Sequence, residues 1–377
     1  MATAAPSAMR RDAETHNLII GGPSQIAVAK FDGAAFTITG QHLEIGSTPS
    51  WMRYKHSTNA LYAVNENGAD LDVFDLKPEG PTLTGSVNGS AGVVFLEFNR
   101  DQTRMVGAGY GSENLDVWDT SAAGAPKLMK SIPVTGPLGP NQTKHHPHQA
   151  ILDPTNRYMV VPDLGGDQML VLRLQDDKFD IPNRVTLGPG FGPRHGSFIA
   201  GAGGKTFFLI ACETKNQVVL YEIAYDETLG MAFKWISQQP TYGTIAPKNA
   251  TTAAAGAILV AANQKDVYIS NRLSGDDADS VAHFVFAADK TELTFQESVS
   301  STGIQPRSMA FSANPAQNIL FVANQGGKNG LAAFSRDAAS GKLTANPVGA
   351  MEYAKLVAKG YETTPFAGPA FVTAYVA

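Results

Sequence analysis

The chain has 377 residues and a formal net charge of −5, from 29 Lys and Arg against 34 Asp and Glu. This balance gives no electrostatic reason to expect nucleic acid or an anionic membrane as a partner, and no apolar stretch approaches the roughly 20 residues that a membrane span needs. Cys212 is the single cysteine, so an intrachain disulfide is excluded and the fold has to rest on its packed core.

At the N-terminus, residues 1–16 lack the apolar centre of a signal peptide, and we expect a flexible tail there. Residues 17–377 are predicted to form a single domain. Potential glycosylation sequons begin at Asn88, Asn141 and Asn249, so the sequence leaves the compartment open between cytoplasm and secretion. It leaves the oligomeric state open as well.

Short apolar stretches bounded by Gly, Asn and Asp turns follow one another along the chain, which predicts β-strands. Residues 17–22 and 25–31 predict a hairpin, and the segments Leu71–Asp75 and Leu115–Asp119 share the pattern Leu-Asp-Val-aromatic-Asp. Each repeat is expected to contain three strands. Because no segment shows a sustained helical period with caps, we expect little helix.

Repeating units of roughly 45 to 55 residues predict a ring of similar sheets. Seven units begin near Ser50, Val94, His148, Arg194, Ala257, Arg307 and Ala370. The last unit ends after one strand, and the N-terminal hairpin can supply the strands that it lacks, which closes the ring. The predicted fold class is therefore all-β, a seven-bladed β-propeller closed by N- and C-terminal strands that share one blade. Six or eight blades remain open, because an insertion around residues 225–255 blurs one unit.

Three units begin with one motif, a proline and a polar residue before an apolar run: Pro147-His148, Pro193-Arg194 and Pro306-Arg307. The innermost strands of a propeller line its central channel, so the residues after these prolines should converge near the axis. A second polar layer is expected at the ends of the following strands, at Glu66, Tyr110, Asp163, Glu213, Arg272 and Asn324 or Gln325. Such side chains are costly to bury without partners, so their clustering predicts a functional site.

The segments that carry these residues resemble the signature of the seven-bladed propeller lactonases. They are His146-Pro147-His148-Gln149-Ala150 with Asp153–Gly165, Gly192-Pro193-Arg194-His195, Val267–Arg272 and Phe321–Gln325. That family groups propeller-type 6-phosphogluconolactonases with fungal 3-carboxy-cis,cis-muconate lactonizing enzymes, and the similarity covers essentially residues 17–377. Its cyclase members carry a His, an Arg, a Glu and an Arg as proposed active-site residues. The resemblance therefore implies that the catalytic residues are His148, Arg194, Glu213 and Arg272.

The function expected from the resemblance is that of a cofactor-independent cyclase or lactonase of the carboxymuconate lactonizing type. Its substrate would be an anionic or carbonyl-bearing unsaturated small molecule. The histidine can transfer a proton near neutral pH, and the arginines can hold carboxylates and stabilise developing negative charge. Substrate contacts are predicted at Arg307, Asp163, Gln325, Trp51 and Phe191.

Three alternatives stay open. One is a natural-product cyclase on the same scaffold, for example one that performs a hetero-Diels–Alder cycloaddition. Another is a 6-phosphogluconolactonase-like hydrolase, disfavoured because no single loop holds a Lys/Arg cluster that could cradle a phosphate. The third is a propeller that binds a partner without catalysis. A metal is not expected, because arginines lie between the candidate carboxylates and Pro147 interrupts the histidines at 145, 146 and 148.

Overall fold

The computed structural model describes residues 14–44 and 46–376, and within these ranges it contains 28 strands in seven four-stranded antiparallel sheets. The sheets are the blades of a β-propeller, which confirms the predicted fold class. Four short 3₁₀ turns are the only helical elements of the described residues. No helix in this part of the chain is long and apolar enough to cross a membrane.

The blades are numbered along the chain from the one that holds the N-terminal strands. Blade 1 contains β1 (His16–Gly22), β2 (Gln25–Phe31), β3 (Phe36–Leu43) and β28 (Phe371–Tyr375). Blade 2 contains β4 (Met52–Lys55), β5 (Ala60–Val64), β6 (Asp70–Lys77) and β7 (Gly80–Asn88). Blade 3 contains β8 (Val93–Phe98), β9 (Arg104–Gly109), β10 (Asn114–Asp119) and β11 (Lys127–Pro133).

The remaining four blades follow in the same way. Blade 4 contains β12 (Ile151–Leu152), β13 (Tyr158–Asp163), β14 (Gln168–Arg173) and β15 (Asn183–Thr186). Blade 5 contains β16 (Pro193–Ala200), β17 (Thr206–Cys212), β18 (Gln217–Asp226) and β19 (Gly230–Pro240). Blade 6 contains β20 (Ala254–Val260), β21 (Asp266–Arg272), β22 (Ser280–Ala287) and β23 (Glu292–Ser300). Blade 7 contains β24 (Ile304–Phe311), β25 (Ile319–Gly326), β26 (Asn329–Ser335) and β27 (Gly349–Glu352).

Blade 1 closes the ring by joining the two ends of the chain. Strand β28 pairs antiparallel with β1, with Leu18 opposite Ala374 and Ile20 opposite Val372. The sheet order β28-β1-β2-β3 then follows that of the other blades, so the ring has no unpaired end. The predicted tail, residues 1–16, lies largely outside the described residues, but His16 is a buried member of β1 and does not belong to a tail.

The core lies between neighbouring blades. Phe207 and Leu209 of blade 5 pack in one cluster with Ile269 and Phe284 of blade 6, and all four side chains are fully buried. Burying one such side chain contributes about 1.5–3 kcal/mol. The apolar faces of adjacent blades therefore hold the ring together without a disulfide.

The repeats differ from the prediction in having four strands. The fourth, outermost strand lies at the surface, and β11 is exposed along nearly its whole length. Such a strand needs few apolar residues, so it lacks the alternation by which sequence reveals a half-buried strand. The blurred region around 225–255 consists of the long hairpin β18–β19 and the loop 241–253.

Candidate active site

A cavity of about 300 Å³ lies where the inner strands of the blades begin. Its lining comes from six of the seven blades and consists of Glu66, Val94, Tyr110, His148, Arg194, Glu213, Arg272, Gln305, Arg307 and Gln325. All four residues predicted to be catalytic are among them, as are two of the five predicted substrate contacts. Residues far apart in the chain thus meet at the centre of the ring.

The proline motif owes its position in the cavity to a β-bulge. Pro193 pairs with Cys212, and Pro306 pairs with Asn324, and in each inner strand the register shifts directly after the proline. A bulge leaves one residue unpaired and re-aims its side chain. Here the unpaired residues are Arg194 and Arg307, which therefore face the cavity instead of the interior of a blade.

Glu213 bridges two arginines from neighbouring blades. Its Oε2 lies 2.8 Å from Nε of Arg194 and 2.7 Å from Nη2 of Arg272. The N–H of Arg194 Nε does not point at the carboxylate well enough for a hydrogen bond, and among the described residues neither Nε nor Nη1 of Arg194 has a hydrogen-bond partner. Burial, followed by the charge of Arg272, lowers the pKa of Arg194 well below its usual value. The buried guanidinium thus keeps donors that no protein acceptor satisfies.

Gly256 makes room for the arginine of blade 6. A Cβ at this position would lie 3.2 Å from Cδ of Arg272 and would overlap Oγ of Ser270. The Arg272 side chain also donates from Nη2 to the carbonyl of Ala255, at 3.2 Å. A glycine therefore stands at the inner-strand bulge of blade 6 mainly because such a Cβ would overlap Oγ of Ser270, with the Arg272 side chain close beside it.

A second ion pair joins blades 2 and 7. Nη2 of Arg307 donates to Oε2 of Glu66 at 2.6 Å. Burial is the largest single influence and would raise the pKa of Glu66. The charge and hydrogen bond of Arg307, a hydrogen bond from Ser50 and the charge of Arg194 together outweigh it and hold that pKa below its usual value. The Glu66 carboxyl is therefore ionised at neutral pH.

His148 is buried beside this charge cluster. Its ring meets Tyr110 edge to face, with centroids 5.5 Å apart, and its Nδ1 has no hydrogen-bond partner among residues 14–44 and 46–376. Burial, followed by the positive charge of Arg194, lowers the pKa of His148 well below its ordinary value. The imidazole is therefore neutral at pH 7, with Nε2 as the ring nitrogen that can face the cavity.

Three predicted substrate contacts lie elsewhere. Asp163 is fully buried behind the loop that precedes His148. Trp51 stacks on Phe95, with centroids 4.1 Å apart, and borders a different cavity. Phe191 packs edge to face on Trp235, with centroids 5.8 Å apart. The structure does not bring these three side chains to the cavity that holds the predicted catalytic residues.

Buried aspartates fix the loops that carry the site. Asp163 accepts hydrogen bonds from Nδ1 of His145 and the amide of His146, both at 2.7 Å. Asp167 accepts from the amides of residues 190 and 192, just before the arginine of blade 5. Asp279 accepts from the amides of residues 273, 274 and 305, which joins the loops of blades 6 and 7. Asp163 therefore stabilises the loop before His148 and does not line the cavity.

Several lining residues were not predicted as site residues. Glu66 and Tyr110 belong to the predicted layer at strand ends, but the family resemblance attaches no role to them. Gln305 has a positive φ of 55°, which is uncommon for a residue other than glycine. Its amide donates to Asp279 Oδ2 at 2.7 Å, and this tertiary contact, which leaves no mark in the sequence, holds the conformation.

The arginines also correct one argument made from the sequence. A phosphorylated substrate was disfavoured because no single loop holds a cluster of Lys and Arg. Arg194, Arg272 and Arg307 instead come from three different blades and line one cavity. In a ring of repeats, a cationic cluster can be distributed over the chain, so its absence from one loop excluded nothing. Among the described residues, no group of three His, Cys, Asp or Glu is placed to hold a metal.

The fold and the site define a propeller of the lactonase class, and comparison with protein families agrees. The family model described as "Lactonase, 7-bladed beta-propeller" matches residues 16–351, and the chain belongs to this family.

Its relatives include proteins with a named activity. A probable 6-phosphogluconolactonase of Arthroderma benhamiae is 28% identical over 347 residues, which cover 88% of this chain and 85% of the relative. The 6-phosphogluconolactonase of Bacillus subtilis is 30% identical over 250 residues, covering 66% and 67% of the two chains. The periplasmic gluconolactonase of Pseudomonas aeruginosa shares the fold, with a TM-score of 0.77 and 23% identity over 96% of this chain and 99% of that one.

Proposed function

We propose that the protein hydrolyses the lactone of a small sugar acid that carries an anionic group, as the name 6-phosphogluconolactonase states for its relatives. The observation that carries the proposal is the charge of the cavity. Three guanidinium groups face two carboxylates there, which is a formal excess of one positive charge. A concave site with such an excess attracts and holds an anionic substrate.

His148 suits the role of general base. Its neutral imidazole can accept a proton from water while the water oxygen bonds to the carbonyl carbon of the lactone. Negative charge then develops on the carbonyl oxygen, and the unsatisfied donors of Arg194 are suited to stabilise it. When the bond to the ring oxygen breaks, the imidazolium returns its proton to that oxygen, and the product is a hydroxy acid.

Glu213 and Arg307 have separate roles in this scheme. Glu213 keeps Arg194 and Arg272 together despite their like charges, because its Oε2 lies within 2.8 Å of both guanidinium groups. Arg307, which comes from blade 7, is available to the anionic group of the substrate. Its partner Glu66 neutralises it until that group binds.

The state of His148 also bears on the expected lactonizing reaction. Forming a lactone from a muconate requires an acid that protonates the developing carbanion. A histidine whose pKa is well below its usual value is unprotonated at neutral pH and is a poor donor for that step. The carboxymuconate lactonizing type therefore has less support than hydrolysis.

The proposal is tested by initial rates with three substrates: 6-phosphogluconolactone, the uncharged glucono-δ-lactone and 3-carboxymuconate. We expect acid release above the spontaneous rate from the phosphorylated lactone, and no loss of muconate absorbance. His148→Gln should lower kcat by about 100-fold or more, whereas the matched control His56→Gln, at an exposed position, should not. Spontaneous rates with both lactones would overturn the proposal, and turnover of the muconate would assign the lactonizing reaction instead.

A further inference from the structure

A second cavity, of about 430 Å³, lies on another part of the inner strands and has no role in the proposed reaction. Its lining includes the side chains of Trp51, Arg53, Phe95, Gln149 and His195. Exposed Ala313 also borders it, so the cavity reaches the surface. It contains space for water but none of the residues of the candidate active site.

Two histidines separate the cavities. His148 borders the candidate active site and His195 borders the second cavity, and their ring centroids are 5.0 Å apart. His195 also meets Trp51 and Phe95 edge to face, each with centroids 5.7 Å apart. The layer between the cavities therefore consists of two rings in contact, that of His148 towards the candidate active site and that of His195 towards the second cavity.

This layer holds polar atoms that lack protein partners. Nδ1 of His148, Nε2 of His195 and Nε1 of Trp51 are all buried, and none has a hydrogen-bond partner within the described ranges. Buried polar atoms in proteins are normally satisfied, and ordered water is the usual partner when no side chain can reach them. Each histidine thus keeps one buried, unsatisfied nitrogen while its ring borders a different cavity.

The proposed reaction requires a route for a proton. Hydrolysis of a lactone consumes one water and yields a hydroxy acid, whose carboxylic acid then ionises to a carboxylate and one proton. His148 is again neutral at that point and can accept this proton. Burial, with the charges of Arg194, Arg272 and Arg307, lowers the pKa of both His148 and His195, so neither ring retains the proton.

We propose that His195 is a positioning residue of a proton route that leads from His148, through ordered water bound beside the two rings at their buried nitrogens, to the second cavity. This inference rests on the proposed lactone hydrolysis. The transfer breaks an N–H bond of the His148 imidazolium and forms one on His195, which releases its own proton to solvent in the second cavity. No co-reactant is needed, and both imidazoles end neutral.

The test compares His195→Phe and His195→Gln with the unaltered protein in weakly buffered solution. Both variants should lower kcat by about 10-fold with little change in KM, increase the solvent isotope effect on kcat, and recover activity when free imidazole is added. Ser197→Ala, which alters the lining of the second cavity without touching either ring, should leave all three measurements unchanged. A crystal structure should show water within hydrogen-bond distance of the buried nitrogens of both histidines.

Folded variants with unchanged kcat and isotope effect would overturn the route. A loss of kcat that imidazole does not restore would assign His195 a purely structural role and overturn it as well. If His195→Phe does not fold, His195→Gln and the crystallographic water carry the test, and the absence of such water contradicts the proposal. If the unaltered protein itself hydrolyses no lactone, the proposed function is overturned, and this outcome is recognised without any His195 variant.

Discussion

Replacement of Arg307 by Gln separates recognition of the substrate anion from catalysis. A hydrogen bond to a charged group contributes about 1.5–3 kcal/mol. Arg307 is already 2.6 Å from Glu66 and its side chain is 16% exposed, so we take the lower part of that range, about 1.5–2 kcal/mol. This corresponds to a roughly 10- to 30-fold loss in kcat/KM for 6-phosphogluconolactone. Glucono-δ-lactone carries no anion, and its kcat/KM should change by less than about 2-fold.

The assay is the initial rate of acid release in a pH-stat, corrected for spontaneous hydrolysis, for both lactones. Glu66→Gln should change kcat/KM in the opposite direction. It removes the charge that neutralises Arg307 and should increase kcat/KM for the phosphorylated lactone only. Arg53→Gln is the matched control, because Arg53 lies outside the candidate active site and forms its own ion pair with Glu97. Equal losses for the two lactones with Arg307→Gln, or no loss for either, would refute the assignment of Arg307 to the anion.

Three further predictions follow from burial and charge. The neutral form of His148 is the active base and its pKa is lowered, so kcat/KM should stay high below pH 6.5 and fall only as the pH drops through that lowered pKa. A decrease of kcat/KM with falling pH that is centred at or above pH 6.5 would contradict this. Glu213→Gln leaves two buried guanidinium groups uncompensated and should reduce the free energy of unfolding in urea by about 3 kcal/mol. If the midpoint and slope of the urea unfolding curve were unchanged, the stabilising role of Glu213 between Arg194 and Arg272 would be contradicted. Burial raises the pKa of the Cys212 thiol well above its usual value, so iodoacetamide should modify the protein only after unfolding, and rapid labelling of the native protein would oppose this.

Much of the fold could be predicted from the sequence because the repeats mark the inner strands. The predicted unit starts at Val94, Arg194 and Arg307 fall within β8, β16 and β24. The closing hairpin of blade 1 was also predicted, since two short apolar runs flank a turn at residues 23 and 24. The outer strands were missed for the opposite reason. A strand at the rim, such as β11, packs on one neighbour only and needs no apolar pattern.

The candidate site was predicted in part, and the error at Asp163 follows from a single-residue offset. Asp163 was grouped with Glu213 as a residue at a strand end. By pairing, however, Asp163 lies opposite Pro147 as Cys212 lies opposite Pro193, so its equivalent is Cys212 and not Glu213. Neighbouring residues of a strand point to opposite sides. A shift of one position therefore moves the carboxylate from the cavity to the interior, and one sequence does not reveal such a shift.

The same one-residue offset explains how each repeat supplies both a side chain that faces the cavity and a buried side chain beside the loops. In blades 4, 5 and 7 the residues opposite the prolines are Asp163, Cys212 and Asn324, and all three are fully buried. Asp163 and Asn324 bond to the loops around them, with Asn324 donating to the carbonyls of residues 301 and 329. The residue after each proline faces the cavity instead. A substitution there changes the chemistry of the site, whereas a substitution at the paired position disturbs a loop. One propeller scaffold can therefore take on different reactions while its loops stay in place.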